Sequence, residues 1–188
     1  MNYIKIMKLF VLVAIGLFSI SSKHIGPKYC TITYDNIDKF GAKISGKYPI
    51  TYMETTAGCN NDCCNDVIWF LHFVCEKPYT FEQGNELAYN IFQELLNSKT
   101  NDPIFKAYIK ASTFKSRGLE VKPDYFGFKI AFWDENVDRP KFPYLSLIRV
   151  FGTKMEFYYA NPITQALEKP IVKQYRYSNG SLVFSENI

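Results

Sequence analysis

Residues Tyr125–Trp133 read YFGFKIAFW, and apolar side chains occupy every second position of this stretch. Successive side chains of a strand point to opposite faces of a sheet, so the alternation predicts a strand with one apolar face. That face would be formed by Phe126, Phe128, Ile130 and Phe132. It needs a second layer of structure to cover it, and the sequence on either side indicates what that layer is.

Further strands are predicted on the C-terminal side, separated by short turns. Gly152-Thr153 fits a tight hairpin, and Asn179-Gly180 is a strong hairpin signal that would return Leu182–Phe184 onto the preceding strand. Pro170 cannot donate a ladder hydrogen bond, so it favours an edge position for the strand that contains it. The predicted strands between these signals are Tyr144–Val150, Met155–Ala160 and Ala166–Tyr177.

A long amphipathic helix is predicted upstream, over about Phe81–Ser98. Thr80 and Gln83 have the spacing of a capping box. Apolar side chains then recur at spacings of three and four residues, which is the period of one helix face. They are Phe81, Leu87, Ile91, Phe92, Leu95 and Leu96. Asn101-Asp102-Pro103 ends this helix and would start a short second one over Ile104–Ala111.

The segments before the long helix have weaker patterns. Val67–Cys75 (VIWFLHFVC) is a continuous apolar run, and its branched and aromatic residues favour a buried strand over a buried helix. Lys23–Met53 is rich in Gly, Pro, Thr and Tyr, so irregular structure with short strands at Tyr29–Tyr34 and Ile50–Met53 is expected. Thr55–Asp66 is expected to form a polar loop.

One long helix followed by consecutive strands with short connections predicts the α+β class. We expect an antiparallel β-meander of about four to five strands, with the long helix packed on one face. The helix stripe and the apolar side of Tyr125–Trp133 would form the core. The opposite side of the sheet would carry Lys129, Glu156 and Tyr158.

Residues 1–22 have the three-part pattern of a secretory signal peptide. Lys5 and Lys8 precede the apolar run Leu9–Ile20, and small residues follow it. The run is too short for a comfortable membrane span, and no later segment is longer, so no transmembrane segment is expected after cleavage. Residues 23–188 would then form one exported domain in the periplasm, in the cell envelope or outside the cell. An uncleaved anchor and a buried N-terminal helix stay as alternatives.

Cysteine usage fits export, because thiols tend to pair in oxidising compartments. An odd number of cysteines leaves at least one thiol free or paired with another chain, so an intermolecular disulfide is possible. The spacing C-x3-C-C lacks the paired knuckles of a zinc site, and we expect no metal. His72 is expected to be a half-buried, hydrogen-bonded histidine rather than a ligand or a base. The disulfide candidates are Cys30, Cys59, Cys63, Cys64 and Cys75.

The densest polar segment is the loop after Trp133, where three carboxylates and an arginine lie close together. Such a loop could bind a cation, a basic peptide or a sugar, and paired carboxylates could perform acid–base chemistry. The simpler interpretation is a solvated strand connection in which Arg139 pairs with an aspartate. A calcium loop is excluded, because Arg139 and Leu145 occupy the positions that require Gly and Glu. The candidate ligand-binding residues are Asp134, Glu135, Asp138, Arg139 and Tyr158.

The function predicted from these features is that of an exported binding or interaction domain with an unknown protein or small ligand. Nucleophile, phosphate-loop, dinucleotide and metalloprotease motifs are absent, so neither catalysis nor a cofactor is expected. A net charge of +4 is too small for a nucleic-acid footprint. One alternative is a small envelope hydrolase that uses carboxylates of Asp134–Asp138. Another is a structural envelope component cross-linked through the odd cysteine.

Part of the chain resembles a family of uncharacterised exported proteins of intracellular bacteria. The resemblance spans about residues 86–174 and rests on FKIAFWDENVDRPKFPYLSLIRVF and EFYYANPITQALEKPIV. It implies one exported α+β domain. It carries no activity and no catalytic residues.

Overall fold

The computed structural model describes residues 28–59, 67–111, 121–134 and 138–187. The helices are α1, Lys28–Lys47, α2, Phe81–Thr100, and α3, Pro103–Ala111. The strands are β1, Thr51–Cys59, β2, Val67–Cys75, β3, Phe126–Phe132, β4, Leu147–Phe151, β5, Lys154–Tyr158, β6, Ile171–Ser178, and β7, Ser181–Asn187. A short 3-10 helix, Pro123–Tyr125, leads into β3.

The described strands form one seven-stranded sheet in sequence order, β1 to β7. β2 and β3 are parallel, and every other neighbouring pair is antiparallel. A parallel pair requires a crossover, and α2 and α3 lie in the connection between β2 and β3. The α+β class is therefore confirmed. The prediction of an antiparallel meander of about four to five strands with one long helix matches the fold only in part, because the sheet has seven described strands, one pair is parallel, and α1 and α2 are both long.

The core lies between the sheet and the helices, on one side of the sheet. α2 packs Phe92 against Phe128 of β3, with 6.1 Å between ring centroids. α3 packs Phe105 against Phe126 at 5.0 Å, and α1 packs Tyr34 against Trp69 of β2 at 5.7 Å. The alternation in β3 buries Phe126, Phe128, Ile130 and Phe132 completely. Burial of such aromatic side chains supplies the main favourable term of folding.

The opposite side of the sheet carries no helix in the described part of the chain. We call it the open face and define it by the row Glu54, His72, Lys129, Arg149 and Glu156. These residues are consecutive cross-strand neighbours on β1 to β5. An antiparallel sheet with one solvated side alternates apolar and polar residues, which is the pattern of β4 and β5.

The predicted long helix is confirmed, and its start has the expected chemistry. The Thr80 hydroxyl accepts a hydrogen bond from the Gln83 N–H at 3.4 Å, and the Gln83 side chain accepts one from the Thr80 N–H at 3.1 Å. This reciprocal pair satisfies two backbone donors that the helix cannot pair internally. The second helix, the strand over Val67–Cys75 and the turn at Asn179-Gly180 are also present.

The prediction of a short strand at Tyr29–Tyr34 is wrong, because this segment lies inside helix α1. Ile37, Phe40 and Ile44 recur at helical spacing and are buried. The glycine content of Lys23–Met53 predicted irregular structure, but Gly41 lies inside the helix and has a packing role. A Cβ atom at Gly41 would lie 2.4 Å from the Tyr52 ring, so glycine allows β1 to pack closely on the helix.

Two further expectations need correction. β1 extends to Cys59 and takes in the first part of the predicted polar loop Thr55–Asp66, with Thr55 buried. Residues 60–66 lie outside the described ranges. Pro170 does not mark an edge strand, because β6 begins just after it and pairs on both sides, and the edge is β7.

The described helices include none that is both long and apolar enough to cross a membrane. The predicted signal peptide, residues 1–22, lies outside the described residues.

Candidate functional site

The carboxylate of Asp134 holds the predicted acidic loop together. The Asp134 N–H donates to the Asp138 carbonyl at 2.8 Å, and the Asp138 N–H donates to Asp134 Oδ1 at 3.0 Å. This arrangement closes the chain between Asp134 and Asp138 in the manner of a side-chain turn. Glu135, the third predicted carboxylate, lies outside the described residues. The described contacts of the loop are thus those of a strand connection.

Arg139 binds a neighbouring loop rather than the aspartates. Its backbone N–H donates to Gln165 Oε1 at 3.0 Å, and its guanidinium donates to the Gln165 carbonyl. Gln165 has a positive φ of 57°, which turns its carbonyl and side chain toward Arg139. Arg139 therefore fixes two loops at one end of the sheet. The expected pairing of Arg139 with an aspartate is therefore wrong, because Arg139 binds Gln165 instead.

Tyr158 lies on the open face, where it belongs to a different group of side chains. Its hydroxyl donates to Glu156 Oε2 at 2.7 Å, and Lys154 Nζ lies 2.7 Å from Glu156 Oε1. Burial favours a higher pKa for Glu156, but the hydrogen bonds from Lys154 and Tyr158 outweigh it and keep the pKa below its usual value. Both oxygens of Glu156 are therefore occupied, and its negative charge interacts with Lys154 and with Arg149, its cross-strand neighbour.

Lys129 and Arg149 are the central residues of the row that defines the open face. They are direct cross-strand neighbours on β3 and β4. Neither cation forms an ion pair with a carboxylate in the described part of the chain. Like charges placed opposite one another in a sheet are destabilising. The Lys129–Arg149 pair is thus a local concentration of positive charge. On its other side Arg149 neighbours Glu156, and the charge of Arg149 helps to lower the pKa of that carboxyl.

His72 is the next neighbour of Lys129 in this row and is neutral. Burial, and then the charge of Lys129, lowers the pKa of His72 to about 4. Its Nε2 lies 3.0 Å from the Thr56 hydroxyl, and its Nδ1 lies 3.3 Å from Glu54 Oε1. In the neutral ring, Nδ1–H donates to Glu54 and Nε2 accepts from Thr56. His72 is the half-buried, hydrogen-bonded histidine that was expected.

A shallow cavity adjoins the Lys129–Arg149 pair. Its volume is about 150 Å³, and it is lined by Arg149, Phe151, Lys154 and Glu156. Phe151 is 45% exposed, so an aromatic surface lies beside the charged groups. We refer to this cavity and the Lys129–Arg149 pair together as the cationic site.

The sheet surface next to the cationic site includes a glycine, Gly127 of β3. Gly127 lies between Phe70 and Phe151 as their cross-strand neighbour on β3. A Cβ atom at Gly127 would lie 2.5 Å from the Phe70 ring and 2.8 Å from the Val150 carbonyl oxygen. The Phe70 ring therefore lies against the backbone of Gly127, an arrangement in which an aromatic side chain covers a glycine in a sheet.

Cys75 is a free thiol in the structure and is buried. Its Sγ lies 3.2 Å from the Pro49 carbonyl oxygen and 3.5 Å from that of Lys77. Burial raises the pKa of the Cys75 thiol. The structure therefore gives no support to a disulfide through Cys75. The side chains of the other four candidates, Cys30, Cys59, Cys63 and Cys64, lie outside the described part.

The described residues contain no group of three side chains positioned to hold a metal ion. Searches of protein-family models, of curated proteins and of solved structures found no match to this chain.

The cationic site was only partly visible in the sequence. Alternation in YFGFKIAFW places Lys129 on the side opposite the core, and the same reasoning placed Glu156 and Tyr158 there. Arg149 and Lys154 were missed, because their proximity to Lys129 and Glu156 depends on strand register. Register is set by pairing between strands and cannot be read from one strand alone.

Proposed function

We propose that this protein is an exported, non-catalytic binding domain whose ligand is negatively charged and lies on the open face of the sheet. The observation that carries the proposal is the Lys129–Arg149 pair, two adjacent cations without a carboxylate partner in the described part of the chain. Like charges placed opposite one another cost stability, and functional sites are where such departures from the rules of folding occur.

The surroundings of the pair favour binding rather than reaction. Phe151 offers an exposed ring beside Arg149, and aromatic groups next to arginine are common at recognition surfaces. In the acidic loop, the Asp134 carboxylate accepts the backbone N–H of Asp138, a contact that stabilises the strand connection.

The binding proposal can be tested with a labelled poly-glutamate peptide as an anionic probe. We expect binding at low ionic strength by fluorescence anisotropy, and weaker binding as salt screens the charges. The K129Q/R149Q variant should lose this binding. The K106Q/K110Q variant removes two exposed lysines from α3, on the helix side of the sheet, and should retain it. Equal binding by both variants and the wild type would refute the proposal.

Export is tested separately by the intact mass of protein recovered from an extracytoplasmic fraction of the cells that express it. A mass lacking residues 1–22 is expected if the signal peptide is cleaved. A full-length chain confined to the cytoplasm would contradict export and leave the binding proposal intact.

A further inference from the structure

We propose that the cationic site binds a phosphomonoester group. This inference rests on the proposed function, because it names the chemical class of the ligand for the same site. It follows from the charge balance of the site, from its size and from the side chains around it.

The charge balance favours a dianion. Lys154 and Tyr158 contact Glu156, each at 2.7 Å, and the charge of Arg149 also acts on it. Around the cavity, Lys129, Arg149 and Lys154 carry three positive charges against one negative charge on Glu156, which leaves a net charge of +2. Glu54, at the far end of the row, contacts the neutral His72. A phosphomonoester carries a charge of about −1.5 to −2 near neutral pH, whereas a carboxylate or a phosphodiester carries about −1.

The dimensions are compatible with a compact oxyanion. The open depression of about 150 Å³ can admit a group of the size of a phosphate. Arg149 lines this cavity, and a guanidinium can donate two parallel hydrogen bonds to phosphate oxygens. Lys129, on the neighbouring strand, can add a point charge.

The exposed ring of Phe151 indicates where the organic part of the ligand would lie. Phe151 lines the cavity and is 45% exposed, and the Phe70 ring covers its cross-strand neighbour Gly127. A flat or apolar group attached to the phosphate could rest against the Phe151 ring and bury part of it. The site should therefore prefer an aromatic phosphomonoester to inorganic phosphate.

The test compares phenyl phosphate with phenyl sulfate, which has nearly the same shape but carries one negative charge. We expect phenyl phosphate to bind the full chain by isothermal titration calorimetry, and phenyl sulfate to bind more weakly by about tenfold. Charge-assisted hydrogen bonds account for factors of this size. R149Q and K129Q should each weaken phenyl phosphate binding by about tenfold or more. The matched variant K106Q should bind like the wild type, and thermal melts should show that all three variants fold.

Four outcomes would overturn the inference. Equal affinity for phenyl phosphate and phenyl sulfate would show that the site does not select a dianion. Phenyl phosphate binding that K129Q and R149Q leave unchanged would place the ligand elsewhere. Binding of poly-glutamate without binding of phenyl phosphate would refute the phosphomonoester and leave the proposed function standing. A protein that binds neither probe would refute both.

Two further measurements distinguish the sources of a phosphomonoester. Wild-type protein that binds phenyl phosphate but does not sediment with phosphatidate vesicles would support a soluble phosphate compound. Wild-type protein that sediments with phosphatidate vesicles, but not with phosphatidylcholine vesicles, would support a lipid headgroup, provided that R149Q does not sediment. If neither measurement gives a positive result and phenyl phosphate does not bind, phosphomonoesters are not the ligand class of this site.

Discussion

At the scale of single residues, Gly127 shows how closely the open face is packed around the cationic site. The Phe70 ring and the Val150 carbonyl oxygen both lie within 3 Å of the position that a Cβ atom would take. The ring can move, but the carbonyl is part of the sheet ladder and cannot easily give way. A side chain at this position would therefore strain the β3–β4 pairing that places Lys129 opposite Arg149.

We expect G127A to lower the free energy of unfolding by about 1–3 kcal/mol, the usual cost of overpacking. Urea denaturation followed by circular dichroism measures this change. G46A is the matched control, because Gly46 lies in α1 and a Cβ atom there meets nothing within 4 Å. Alanine is the better helix former, so G46A should be neutral or stabilising by up to about 1 kcal/mol. Equal effects of the two substitutions would contradict the packing described at Gly127.

His72 makes stability depend on pH. Its pKa in the folded protein is about 4, against an ordinary value of 6.5, so the unfolded chain binds a proton between these values and the folded protein does not. Stability should thus fall as the pH drops from about 6.5 toward 4. Its side chain is 17% exposed, and we expect a loss of about 1–2 kcal/mol between pH 7 and pH 5.

The H72Q variant isolates this effect, because glutamine does not titrate and can still bond to Glu54 and Thr56. Urea midpoints at pH 7 and pH 5 should move further in the wild type than in H72Q. If both proteins lose the same stability over this interval, the wild-type pH dependence comes from other groups.

At the scale of elements, helix α2 protects the exposed edge of the sheet. The Gln93 side chain donates to the Gly180 carbonyl at 2.8 Å and accepts from the Leu182 N–H at 3.0 Å. The Tyr89 hydroxyl donates to the Leu182 carbonyl at 3.1 Å. These side chains satisfy part of the outer edge of β7, which would otherwise be open to pairing with another strand.

We expect Q93A to lower the free energy of unfolding by about 1 kcal/mol and to speed hydrogen exchange at the Leu182 amide. E86A, an exposed position of the same helix, should change neither quantity appreciably. Hydrogen exchange detected by NMR gives the comparison residue by residue. An unchanged Leu182 amide in Q93A would show that Gln93 does not hold this edge.

Elements with strong local signals could be predicted from the sequence, and those defined by distant contacts could not. The capping box and apolar stripe identified α2, and alternation identified β3. Helix α1 was missed because the Gly, Pro, Thr and Tyr content of Lys23–Met53 favoured irregular structure. Gly41 is instead explained by the Tyr52 ring of the following strand, which packs against it. The parallel pairing of β2 with β3 was missed for the same kind of reason, since it depends on how α2 and α3 cross the sheet.

At the scale of the whole molecule, the helices cover one side of the sheet and the cationic site lies on the other. The Lys129–Arg149 pair is adjacent in the sheet and has no carboxylate partner among the described residues, so its repulsion should cost stability in the absence of a ligand.

We therefore expect K129Q to raise the free energy of unfolding by about 0.2–1 kcal/mol at low ionic strength, and the gain to shrink in high salt. K106Q, at an exposed position of α3, should have a smaller effect. Thermal melts at low and high sodium chloride concentration provide the measurement. A loss of stability in K129Q that does not depend on salt would mean that Lys129 is retained for packing rather than for a ligand.

The most direct test of the central claim is an NMR titration of the nitrogen-15-labelled protein with poly-glutamate. If the ligand lies on the open face, amide shifts should concentrate at Lys129, Arg149 and Phe151, and amides of α3 such as Lys106 should stay in place. The K129Q/R149Q variant should show none of these shifts. Shifts concentrated on α3, or spread evenly over both sides of the sheet, would contradict a binding site on the open face.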